Sequence, residues 1–199
     1  MSQPFPSNNL KLSSVLQAYN ITDMKSLIGK EYYDSSGNTF IVEKPINLGI
    51  FKGNYYNSAS GSFDCKKLSN FKTTEYGTWS DVTAEIDINS ISYVINGPKL
   101  VSFQVTFARY ATTTYALGNN IWWKSTSYSI TVDGIQKYFT NDDKSDDYLF
   151  DTGVVSCSGS VLTLSFSMDA YDDTNNTVGV SARWIFGISG NTLTLTSEG

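Results

Sequence analysis

Leu100-Val-Ser-Phe-Gln-Val-Thr-Phe107 alternates apolar side chains with polar ones, and Ser160-Val-Leu-Thr-Leu-Ser-Phe-Ser167 repeats the pattern. A period of two places successive side chains on opposite faces of a strand. Val, Leu and Phe then face a core while Ser and Thr face water. Similar runs read as strands over Val82–Ile88, Ser90–Ile95, Leu100–Tyr110, Tyr128–Val132, Val154–Cys157, Val161–Met168, Val178–Ile188 and Thr192–Thr196. Asn96-Gly-Pro98, Asp133-Gly134, Ser158-Gly159 and Ser189-Gly-Asn191 supply turn signals beside them. No helix is readable between these strands. The expected fold is therefore all-β: an antiparallel β-sandwich, of jelly-roll type, over residues 34–199.

The first 33 residues read differently. Met1–Asn9 holds two of the four prolines and no period, which predicts an extended arm. Leu12, Val15, Leu16 and Tyr19 then recur at helical spacing, with Ser13 as a candidate cap. Ile21–Gly29 offers Thr22 as a second cap and Gly29 as a stop. Two short helices are unstable alone, so they must dock, and residues 1–33 read as an anchor ahead of the β domain.

The chain of 199 residues contains no histidine, which removes the commonest general base and metal ligand. Neither Cys65 nor Cys157 has an imidazole to activate it, and no Gly-x-Ser-x-Gly elbow or phosphate loop occurs. The five glutamates stand in no motif for paired-carboxylate hydrolysis. The reading is that the chain is not an enzyme, with a polysaccharide-active enzyme ranked third. A net charge of −5 with 14 basic residues argues against nucleic acid. No apolar run is long enough to cross a membrane, and the opening residues do not read as a secretory signal. Two free thiols are expected in a reducing compartment.

Three groups of residues are candidates for binding. Asp142 and Asp143, with Asp169, Asp172 and Asp173, gather carboxylates that can serve as oxygen ligands for Ca²⁺, although the EF-hand spacing is not met. The plainer reading is two solvated hairpin loops. Trp122 and Trp123 are adjacent, so in an extended segment they point to opposite faces and one is exposed. An exposed Trp stacks on a sugar ring, anchors a protein partner, or packs under a loop. Phe5, Leu12, Val15, Leu16 and Tyr19 form the third group, the apolar set of the anchor.

Pro4-Phe-Pro-Ser7, Leu10-Lys-Leu-Ser13, Val15-Leu16, Met24 through Gly29 and Tyr32-Tyr33 together resemble the opening of small structural proteins from virions of tailed phages and large algal DNA viruses. The chain departs from that pattern in lacking the Gly-rich close that commonly follows. The β region is similar in style to capsid and tail-appendage domains. The resemblance implies a non-enzymatic virion protein of minor capsid or cement type, assembled in the host cytoplasm. Its partners would be other virion subunits, in a homo- or hetero-oligomer held by the anchor and an aromatic surface. The alternative is a carbohydrate- or receptor-binding module, lectin-like or at a tail tip. No cofactor is expected apart from Ca²⁺.

Overall fold

A computed structural model describes residues 4–56, 58–77, 81–114, 121–141, 148–172 and 176–199. Helix α1 (Leu12–Ala18) and a 3-10 turn (Met24–Leu27) precede strands β1 (Glu31–Tyr33) and β2 (Thr39–Ile41). A second 3-10 turn (Leu48–Phe51) leads to β3 (Ser58–Phe63), and a third (Cys65–Lys67) to β4 (Phe71–Tyr76). Strands β5 (Asp81–Asn96), β6 (Lys99–Thr113), β7 (Ile121–Val132) and β8 (Ile135–Asn141) follow. Then come β9 (Tyr148–Asp151), β10 (Val155–Gly159), β11 (Val161–Asp172), β12 (Thr177–Ser189) and β13 (Thr192–Glu198).

All pairings are antiparallel. One sheet has the order β10-β6-β5-β3, with β4 also on β5 and β9 also on β6; the other has the order β13-β12-β11-β7-β8. Ile86, Ile91, Val105 and Phe107 from the first share one buried cluster with Tyr128, Leu164, Phe166, Trp184 and Phe186 from the second. The two sheets thus bury their inner faces against each other in a sandwich-like, all-β arrangement. β5–β6, β7–β8 and β11–β12–β13 pair as consecutive strands, while β6–β10, β7–β11 and β3–β5 pair strands that are not consecutive.

The opening stretch behaves as its alternation demands, with one slip. Phe103, Val105 and Phe107 face the core, yet so does Leu100, an odd number of residues away. The register shows why: Ile95 pairs with Leu100 and Val94 with Ser102, so Val101 is an extra residue in the strand. A second bulge falls at Asn89, where Ile88 pairs with Phe107 and Ser90 with Thr106. It lets the two expected strands on either side run on as the single β5. Asp133 and Gly134 both take positive φ, 49° and 78°, the requirement of a tight turn matched to strand twist.

The N-terminal region is not an extended arm. Phe5 is 4% exposed and Val15 0%, and both pack with Leu27, Val42 and Phe51 in a small core of their own. Phe5 is tied there by its amide to the Asn54 carbonyl (2.9 Å) and its carbonyl to the Gly53 amide (3.0 Å). The apolar cluster runs past residue 33 to Phe51, so the N-terminal module extends to about Tyr56. Helix α1 starts at Leu12 with Lys11 ahead of it, so Ser13 is inside the helix and does not cap it. Asp23, not Thr22, caps the next turn. Its carboxylate accepts the amides of Lys25 (2.9 Å) and Ser26 (3.1 Å), a stronger charge-assisted bond than a hydroxyl makes. Gly29 ends the segment at φ 80°, as expected.

The module sits against the β5–β6 turn. Ser158 donates to the Ser36 carbonyl (2.9 Å), and the Asn96 amide reaches Thr39 Oγ1 (3.4 Å). Gly97 is required here: a Cβ on it would stand 2.9 Å from the Tyr55 ring.

Candidate functional site

The outward faces of the sandwich are built of hydroxyls. In β11 the core side carries Leu162, Leu164, Phe166, Met168, Ala170 and Asp172, so Ser165 and Ser167 point away from it, as by parity does Thr163, which its neighbours largely cover. Register carries the pattern sideways. Ser127, Ser167 and Ser181 form one row, Ser129, Ser165 and Arg183 the next, and Thr131, Thr163 and Ile185 the third. Neighbours in a row stand about 4.8 Å apart and rows about 6.8 Å apart, from ordinary strand geometry. Phe139 extends the middle row on β8, opposite Ser129, and is 50% exposed. That row therefore presents a ring, two hydroxyls and an exposed guanidinium in line.

The other sheet has a cleft of about 390 Å³ on its outer side, lined by Ser60, Ser62, Ser92, Ser102 and Gln104. Gln104 is fixed by donating to both carboxylate oxygens of Asp151 (2.9 and 3.0 Å), which also accepts the Gly153 amide (2.8 Å). These bonds, that of Gln104 first, hold the Asp151 carboxyl below its ordinary range.

The anchor residues divide. Phe5 and Val15, expected to reach a partner, are consumed by the chain's own small core. Leu12, Leu16 and Tyr19 are half-buried at its margin, and the Tyr19 hydroxyl donates to the Glu31 carbonyl (2.6 Å). What the module leaves outside is a different set. Met24 (38%), Ile28 (38%), Phe40 (42%), Ile41 (57%) and Tyr56 (39%) are exposed. Phe40 stacks on Tyr32 with ring centres 5.3 Å apart, which fixes its orientation.

The acidic candidates do not assemble into a cation site in the described residues. Asp172 is buried on the core side of β11, where its carboxylate accepts the Asn176 amide (3.1 Å) and closes the turn into β12. Asp169 lies an odd number of residues away in an unbulged stretch of the same strand, so it faces outward. Two carboxylates on opposite faces of one strand cannot share an ion. Among the described residues no group of three or more Cys, Asp or Glu converges. Asp142, Asp143 and Asp173 lie outside the described residues. So do the side chains of Trp122 and Trp123, whose backbone pairs with Tyr171 and Ala170 within β7.

One feature was not anticipated. Arg109 is 1% exposed and donates from Nη1 to Thr126 Oγ1 (2.6 Å), joining one sheet to the other through the core. The signal was present: Arg109 keeps the parity of Val105 and Phe107. The cysteines behave as expected. Cys65 follows β3 and Cys157 lies in β10, at opposite edges of one sheet. Three strand spacings separate those edges, about 14 Å, well beyond the span of a disulfide. Both thiols are free, and burial pushes both up, Cys157 to about 11. Both are therefore held mainly as thiols at neutral pH, the less reactive form.

No family model, curated protein or solved structure matches this chain.

Proposed function

We propose that this chain is a non-enzymatic virion structural protein, of minor capsid or cement type, that docks on neighbouring subunits through its N-terminal module. The exposed apolar set on that module, Met24, Ile28, Phe40, Ile41 and Tyr56, supports this most directly. A module of this size has little core to spare, and five large apolar side chains held outside it suit a contact surface. The docking element is then the outer face of a folded module, where the sequence pointed to an extended arm. The β-sandwich occupies the remainder of the subunit's position and presents its hydroxyl faces.

Phe40→Ser with Ile41→Ser tests this. Both side chains are exposed and outside the small core, so the full chain is expected to keep its circular dichroism and Tm. Particles sedimented from producing cells are expected to lose the variant by about ten-fold or more, the scale of a hot spot of roughly 1.4 kcal/mol or above. Normal incorporation would overturn the proposal.

The row Phe139, Ser129, Ser165 and Arg183 favours a second reading, a surface that holds an acidic glycan. Phe139 offers a ring to stack on a pyranose, the serines offer hydrogen bonds, and Arg183 offers a fork for a carboxylate. On an array of uronic-acid and neutral oligosaccharides, selective retention of the acidic ones, lost in Arg183→Gln, is the expected result. Equal or absent binding across the array sinks this reading.

A further inference from the structure

We infer that the free edge of β13 is an acceptor for an added strand: an extended segment of a partner chain with apolar side chains at alternate positions. The Ser189–Thr192 pair closes a two-residue hairpin, and the Thr192 hydroxyl donates to the Ser189 carbonyl (2.8 Å). In such a hairpin the closing pair exchanges backbone bonds, and every second pair does so again. Thr194 opposite Gly187 is the next bonded pair. Leu193 and Leu195 fall between, so their N–H and C=O groups point away from β12 to the open edge, two donors and two acceptors in alternation.

Below that edge is a cleft of about 550 Å³, lined by Phe63, Tyr93, Leu193 and Leu195, with Asp64 and Lys67 at its rim. Gly61 deepens it. The Tyr93 hydroxyl lies 2.8 Å from where a Cβ on Gly61 would be, so the phenol crosses β3 only because that position is bare. Further along β13, the Glu198 carboxylate accepts both the amide and the hydroxyl of Ser69. From Thr192 to Leu195 the cleft's wall runs about 10 Å, alongside roughly four residues of an added strand.

From Thr192 to Leu195 this edge carries no charge and keeps its register, the shift in β13 falling beyond Leu195. Natural sheets protect free edges with charges, bulges or brevity. β4 carries Lys72 and Glu75, and β8 carries Lys137 at a register shift. β9 has four residues, and β10 has five with a register shift. β13 has no charge from Thr192 to Ser197, and β3, across the cleft, has none at all. An apolar floor beneath a neutral row of unpaired backbone groups fits an extended peptide: the backbone supplies affinity, and alternate side chains fill the cleft. The strand edges carry this whether or not the N-terminal module docks on anything.

The test uses the full chain and a synthetic acetylated, amidated peptide of alternating Thr and Val, six residues long. Amide exchange at Leu193 and Leu195 is expected to slow by about ten-fold at saturating peptide. A peptide with Pro at its fourth position, which lacks one ladder donor, should leave exchange unchanged. Thr192→Lys, at an exposed position, should abolish the effect. Protection that is absent, that appears at β8 instead, or that persists with the Pro peptide would overturn the inference. So would a chain that sediments as a dimer and turns monomeric in Thr192→Lys, because the occupant is then a second copy.

Discussion

Phe107→Ala is expected to destabilise the chain by about 3–5 kcal/mol, the range for removing a fully buried aromatic ring. Phe107 is 0% exposed and stands where the two sheets meet. Its ring centre is 4.4 Å from Tyr128, 4.6 Å from Phe166 and 4.9 Å from Phe150. Phe166 continues to Trp184 at 5.5 Å, and Trp184 to Phe71 at 5.1 Å. A chain of rings thus runs from β9 through the core to β4, crossing between sheets. Deleting its central member removes contacts to both sheets at once, and a close-packed interior closes over the void only in part. Urea unfolding followed by tryptophan fluorescence reads the loss. A change below about 1 kcal/mol would mean the site collapses freely and the aromatic chain is not the tie between sheets.

Removing residues 1–33 and removing residues 1–56 are expected to give opposite results. The shorter deletion takes Phe5, Val15 and Leu27 from the small core and leaves Val42 and Phe51 without cover. Each large apolar side chain so exposed costs about 1.5–3 kcal/mol, and together they leave a sticky surface, so this product should aggregate. The longer deletion removes the small core whole. The main core draws on no residue before Phe63, so the sandwich should remain folded and monomeric, short only of the contacts around Gly97 and Ser158. Size-exclusion chromatography with circular dichroism separates the two. Equal behaviour would show that the two cores fold as one.

The strands that form the main core were legible because each has one wet face and one dry face, and alternation records that directly. β3 was not: Ser58-Ala-Ser-Gly-Ser-Phe63 has too little apolar contrast to show a period, and pairing with β5 alone makes it a strand. The bulges at Asn89 and Val101 were invisible because an extra residue is defined by the partner strand. In the N-terminal module, helical spacing marked the dry face of α1 but not what dries it. That cover comes from Phe5, Leu27, Val42 and Phe51, in segments with no period of their own. Proximity in sequence also suggested that Asp169 and Asp172 act together, whereas strand parity sets them back to back. Arg109 shows the same parity rule applied the other way: the strand carries a cation inward, where Thr126 accepts one of its hydrogen bonds.

The hydroxyl rows on the five-stranded sheet set the terms on which anything meets that face. Arg183 apart, the hydroxyl rows cast little field beyond themselves, so a neutral molecule approaching them gains little guidance from afar and loses little when salt is added. Recognition there begins only at touching distance, and selectivity lies in how long a visitor stays once it has arrived.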